Sequence, residues 1–253
     1  MDEAHWLSSD DPFIMLGCLR GLRKGAADRR DARRLRLFAC ACCRRVLTMV
    51  SPDVFIDAVQ TAEAYADGKG SPEQLDVYQG QARGASERHL VLSAWPMSGP
   101  TWAGYACCHV ASRATTWPLP AGSRWSPWAL AEETARAAAF AAAGGVYQLG
   151  ESRWLPAQPD AHLAEETAQA ALLRDLFGNP FRPGWQPGPL ADPKGAPGQL
   201  ARVIYAERRF EEMPVLGDAL EDAGCSDPDV VAHCRCGQPH ARGCWVVDGL
   251  RKW

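Results

Sequence analysis

No apolar run in the 253 residues approaches the ~20 that a membrane-spanning helix needs. The opening stretch, MDEAHWLSSDDPF, has neither the basic start nor the apolar core of a secretory signal. These absences predict a cytoplasmic protein that makes no use of a membrane. Thiols are kept reduced in that compartment, so the ten cysteines are expected to serve packing, metal binding or catalysis rather than a disulfide framework. Alternating apolar and polar stretches are nearly absent, which argues against a β-rich fold. The phosphate-binding loop, the dinucleotide fingerprint, the nucleophile elbow and His-Glu-x-x-His are missing as well, so no short motif points to an enzyme class.

Helix punctuation is abundant. Asp11-Pro12, Ser51-Pro52, Ser71-Pro72, Ser126-Pro127 and Asp227-Pro228 follow one logic. Ser or Asp caps free backbone N–H groups, and proline next to it loses nothing, because its missing N–H would be unpaired there. Ser71 with Gln74 fits a capping box. Between these starts the apolar residues recur at helical steps: Leu35, Phe38, Cys42, Val46 and Met49, then Phe55, Val59, Ala62 and Ala66, then Leu75, Tyr78, Ala82 and Ala85. Two alanine-rich helices share an echo, LAEETARAA from Leu130 and LAEETAQAA from Leu163, and are expected to pack on one another. The second is expected to start at a capping Asp160 and to stop at Gly178. Only CWVVDGL near the end is ambiguous between a short strand and a last helical turn.

The fold class expected is all-α, a globular bundle of about eight to ten helices with a small C-terminal Cys/His-rich subregion. Residues 179–198, NPFRPGWQPGPLADPKGAPG, have no periodicity and are long for a loop, so a soft boundary is expected there. It would separate a helical domain, 1–178, from a C-terminal part, 199–253, that is too small to stand comfortably without docking or binding a metal.

The stretch HCRCGQPHARGCW, His233 to Trp245, holds two of the six histidines and three of the ten cysteines. Zinc takes four Cys or His donors in a tetrahedron. Cys234, Cys236, His240 and Cys244 supply C-x-C-x3-H-x3-C with glycine and proline turns between them, and His233 and Cys225 are alternates. Three uses remain open on the residues alone. One is a zinc site. Another is packing, since Cys often acts as a small buried hydrophobe. The third is a reactive thiol, Cys244 near His240.

Other constellations are less specific. Arg20 to Arg45 carries ten Lys or Arg against two acids, Asp28 and Asp31, within a chain of net charge −3. Arg29, Arg33 and Arg36, with Arg30 and Arg34 beside them, would fall on one helical face that could contact phosphates or pair with acids elsewhere in the fold. RGASERH places Arg83 six residues before His89. This resembles the R-x(4–6)-H motif of HEPN-type ribonucleases, in which the arginine would hold phosphate and the histidine would move a proton. Ten tryptophans are present, and Trp117, Trp125 and Trp128 mark a Pro/Trp loop as a candidate contact surface.

The blocks EAHWL…DPFIML, RRLRLFACACCRR, LLRDLFGNPFRP, LGDALEDAGC and HCRCGQPHARGCWVVD together resemble an uncharacterised bacterial protein family expanded in planctomycetes. The resemblance covers most of the chain and implies no particular activity. Members of that family usually read HCRGPGPHVRGCWVVD at the end, so Cys236 is a departure. A site that required Cys236 would not be family-wide. The function expected is a non-enzymatic helical interaction or scaffold module with another protein as partner, with a structural zinc site as one of the three open uses of its Cys/His stretch. The alternatives are a HEPN-like RNA-directed nuclease and a nucleic-acid-binding protein that uses the basic helix.

Overall fold

The computed structural model describes residues 1–24, 27–50, 53–92, 99–111, 126–148 and 153–251, with the side chains of 88–92, 146–148 and 153 outside the description. Twelve α-helices, three short 3-10 helices and one two-stranded antiparallel ribbon make up the regular structure of the described residues, so the protein is all-α. Contacts divide the chain into two compact units. A large unit spans Asp10–Gln169, and a terminal unit joins Met1–Ser9 to Ala170–Trp253.

In the large unit α3 (Arg29–Val46), α4 (Val54–Ala66), α5 (Pro72–Leu92), α6 (Gly99–Val110) and α7 (Pro127–Ala143) surround one apolar core, and α2 (Pro12–Leu22) packs on α7. The caps act as the sequence predicts. The Asp11 carboxylate accepts from the N–H groups of Phe13 and Ile14, and Ser126 Oγ accepts from Ala129. Ser71 and Gln74 close a reciprocal capping box at 2.9 and 3.2 Å. Ser51-Pro52 lies outside the described residues. Gly144, at φ 68°, stops α7 and leads into the antiparallel ribbon of β1 (Gly145–Gln148) and β2 (Arg153–Pro156), which pairs Gly145 with Pro156 and Gln148 with Arg153.

The ribbon feeds α8 (Pro159–Phe177), the second alanine-rich helix, which starts one residue before the expected Asp160 cap and stops at Gly178. The two echo helices do pack on one another: Gln169 Nε2 donates to the Ala135 carbonyl at 3.1 Å, and Phe140 meets the His162 ring edge at 5.1 Å.

Helix α3 does not present Arg33 and Arg36 on an exposed face: both are buried. Arg33 donates from Nε and Nη2 to Asp67 at 3.1 and 2.9 Å. Arg36 donates to the Val110 carbonyl at 2.8 Å and lies over the Tyr65 ring. Arg44 pairs with Glu63 and Arg45 with Glu165. The helix packs on α4, α6 and α7, so Arg33 and Arg36 are turned inward, while Arg44 and Arg45 reach Glu63 of α4 and Glu165 of α8 from its last turn. Arg29 and Arg30 are exposed in the first turn and Arg34 is half-buried.

The terminal unit contains α1 (Glu3–Ser8), the end of α8, α9 (Ala196–Glu207), α10 (Met213–Asp222), α11 (Pro228–Cys234) and α12 (Trp245–Arg251). CWVVDGL is therefore helical. Residues 179–198 are not a linker between units but part of this one. Trp185 and Leu190 pack against its core, and a short 3-10 helix, Gly188–Ala191, lies on α9 and α12. The long loop has little periodicity because its aromatic and proline residues fill surface between helices instead of forming a helix of their own. Among the described residues no helix is long and apolar enough to cross a membrane.

Candidate metal centre

Four side chains of the terminal unit converge: Asp175, His233, His240 and Cys244, whose donor atoms all lie within 4.8 Å of one another. Three stretches of chain supply them. Asp175 comes from the last turns of α8, where it occupies a core-facing position in LLRDLF and is 2% exposed. His233 is in the last turn of α11, a helix started by Asp227, which accepts from the Asp229 N–H, and by Pro228. His240 lies in the turn between α11 and α12. Cys244 ends that turn directly before α12, and positive-φ glycines at 237 and 243 bend the chain back between the donors.

The geometry is that of a convergent polar cluster. Asp175 is ionised, so both imidazoles donate to its Oδ1, His233 from Nε2 at 3.2 Å and His240 from Nδ1 at 2.7 Å. Its other oxygen accepts the Ala241 N–H at 2.9 Å. Cys244 Sγ lies 3.3 Å from the same Nε2 of His233. The two rings meet edge to face at 4.8 Å, and His233 also leans on Trp245 at 5.1 Å. Burial would raise the Asp175 carboxyl, but the hydrogen bonds from His233 and His240 outweigh it and hold its pKa at about 2. Burial and the Asp175 charge push the Cys244 thiol well above its ordinary range, against the opposing pull of the Val247 and Val246 N–H groups at the start of α12.

This arrangement is unlike a thiol nucleophile with its base. A Cys–His–Asp relay places the thiol on one ring nitrogen and the carboxylate on the other. Here Sγ and Oδ1 both approach Nε2 of His233, so the donors point at a common centre rather than forming a chain. A low thiol pKa, which a nucleophile needs, is also missing. Donors gathered around a point are what a metal ion requires. A tetrahedral ion with bonds of ~2.0–2.3 Å has ligand–ligand edges of about 3.3–3.8 Å. The separations in the cluster run from 2.7 Å up to 4.8 Å and so bracket that range, and an ion would part the closest pair and draw the widest together. The cluster could hold a metal ion.

The donor set overlaps only in part with the one expected from spacing. His240 and Cys244 belong to it, and His233 joins as the alternate. Cys234 does not join. It is buried on another side of α11, where a Cβ at Gly217 of α10 would come within 3.1 Å of its own Cβ, and burial pushes its thiol up to about 12. Neighbouring residues on a helix point about 100° apart, so His233 and Cys234 serve the cluster and the apolar core respectively. Cys236 is exposed, with Sγ 3.8 Å from His240 Nε2, on the ring nitrogen opposite the one that faces Asp175. Cys225 is half-buried against the terminal core. Asp175 was missed by the Cys/His count. Its signal was an acid amid Leu172, Leu173, Leu176 and Phe177, at a helix position that needs a buried partner.

A thiol-reactive maleimide should therefore label Cys236 first in the folded protein. Cys18 and Cys225 should follow, and Cys234 and Cys244 should react only on unfolding. Peptide mass mapping over a time course checks the order, and early labelling of Cys244 would contradict it.

The remaining candidates separate. Arg83 is exposed and pairs with Glu87 one turn on, at 2.8 Å, while the side chain of His89 lies outside the described residues. Trp117 and Trp125 also lie outside them. Trp128 is not part of a contact surface. It is 1% exposed in the core of the large unit, because α7 turns that face inward.

The fold and the cluster thus define an all-α chain with a buried candidate metal centre in its terminal unit. Comparison with protein-family models, with curated proteins and with solved structures finds no match.

Proposed function

We propose that the protein is a helical scaffold or interaction module whose terminal unit is built around one structural zinc ion held by Asp175, His233, His240 and Cys244. The observation that carries this reading is the convergence of four donors, from three stretches of chain, on one point. Two imidazoles, a thiolate and a carboxylate suit zinc, which is borderline-soft and takes nitrogen, sulfur and oxygen donors together. The burial of the donors supports a structural role. The side chains of Asp175, His233 and His240 are 3%, 14% and 5% exposed, and Cys244 is fully buried. Four protein donors leave no open position for a substrate. The partner of such a module is another protein.

The proposal extends to the family that the sequence resembles. All four donors fall within two of its blocks, LLRDLFGNPFRP and HCRCGQPHARGCWVVD, and Cys236, the departure, is not among them.

Metal content of the purified, untagged chain is the test. Elemental mass spectrometry is expected to give about one zinc per chain in the natural protein, and close to none in the His233→Ala and Cys244→Ser variants, whereas Cys234→Ser and Cys236→Ser keep it. A folded natural protein free of metal, and unable to take up zinc, would end this reading.

A further inference from the structure

Helix α1 has six residues. Isolated helices shorter than ~12–15 residues are marginal in water, so α1 depends on what it docks against. Its anchor is Trp6, which is wholly buried and donates from Nε1 to the Gly178 carbonyl at 2.9 Å. Polar ties surround that anchor. Arg174 Nη1 donates to the carbonyls of Trp6 and Ser9 at 3.3 and 2.8 Å. Asn179 Nδ2 and Arg182 Nε both donate to Glu3 Oε1 at 2.6 Å, and Arg182 Nη1 reaches Asp229 at 2.6 Å.

These ties end on the last turns of α8, on the turn that follows, and on α11. The same two helices carry metal donors. Asp175 directly follows Arg174, and His233 stands one helical turn beyond Asp229. Arg182 spans Glu3 and Asp229, one helical turn along α11 from the Asp175–His233 junction. Without an ion that junction is a single 3.2 Å hydrogen bond between side chains.

We propose that metal binding at the four donors and docking of α1 are coupled, so that α1 is a latch fastened in the metal-loaded protein and loosened in the metal-free one. This rests on the metal reading above and names a regulation of that site. An ion joining Asp175 to His233 fixes α8 against α11 and completes the seat on which Trp6 and Glu3 are held. Linkage makes the effect reciprocal: whatever factor the metal contributes to docking, a docked α1 contributes to metal affinity.

The test uses the whole chain. Hydrogen exchange of the amides of residues 5–9 is followed with one equivalent of zinc and with excess chelator. Exchange is expected to be about tenfold or more faster without metal, within the range typical of coupled sites. In parallel, Trp6→Ala is expected to raise the zinc Kd by about the same factor. Leu7→Ala, which removes an exposed side chain from the same helix, should leave the Kd unchanged. Should Trp6→Ala fail to fold, the exchange measurement on the natural chain decides. One bound zinc with unchanged protection of α1 would overturn the coupling and leave the metal reading standing. No uptake of zinc by the natural chain would overturn both.

Discussion

Zinc is expected to stabilise this protein by about 4 kcal/mol when free zinc stands a thousandfold above its Kd, since a ligand that binds only the folded state contributes RT ln(1 + [L]/Kd). Denaturant unfolding with and without chelator measures the difference. His233→Ala and Cys244→Ser are expected to remove nearly all of the zinc-dependent part. In chelator these two variants should differ from the natural chain by less than they do in zinc, because Asp175 keeps its bonds to His240 and Ala241. Asp175→Ala is a different case. It leaves two imidazole N–H groups and the Ala241 N–H without their charged acceptor. Hydrogen bonds to charged groups contribute about 1.5–3 kcal/mol each, so this variant is expected to lose roughly 3 kcal/mol or more even in chelator. Asp175→Asn keeps an acceptor of the same shape and should fall between. Equal stability with zinc and with chelator would contradict the expected result.

The second large effect is in the other unit. Arg33 and Asp67 form a buried ion pair, with side chains 2% and 4% exposed. Removing one member of a buried ion pair typically costs about 3–5 kcal/mol. Asp67→Ala is expected to lower the unfolding free energy by that amount, read as a shift of the denaturant midpoint at constant slope. The double variant Arg33→Met with Asp67→Leu is expected to recover most of the loss, because a well-packed apolar pair avoids the desolvation cost. The exposed pair Arg83–Glu87 gives the contrast: Glu87→Ala should change stability by about 0.5 kcal/mol or less. An Asp67→Ala effect that small would mean that water reaches Arg33.

The helical class and many of its boundaries were legible in the sequence because they are local. A capping Asp or Ser with a following proline fixes the start of a helix, as at Asp11, Ser126 and Asp227, and a glycine at positive φ fixes its stop, as at Gly144 and Gly178. What depends on distant chain was not legible. Pairing with acids was one of two uses left open for the arginines of α3, and which acids was not legible, because Asp67 and Glu63 lie a helix away. The candidate centre was half-legible for the same reason. His240 and Cys244 stand in one short stretch whose glycines announce turns, but Asp175 precedes His233 by 58 residues and sits in an ordinary amphipathic helix. The C-x-C spacing drew Cys234 and Cys236 into the expected set; helix geometry takes Cys234 out of it, and Cys236 lies exposed in the turn beyond α11. α11 continues through residue 234, so consecutive side chains diverge, and Cys234 faces Gly217 instead. The division of the chain escaped for a further reason. A stretch rich in proline and glycine resembles a linker until its one tryptophan, Trp185, is seen packed against Gly249 and Trp245.

The most direct measurement of the central claim is a cobalt(II) titration of the metal-free protein, followed by absorption. One equivalent of cobalt is expected to develop the intense visible bands of a tetrahedral ion together with a thiolate-to-cobalt charge-transfer band. Cys244→Ser should lose the charge-transfer band, and Cys234→Ser and Cys236→Ser should keep it. Weak octahedral bands without charge transfer, or a spectrum that follows Cys236 instead of Cys244, would contradict the four-donor centre.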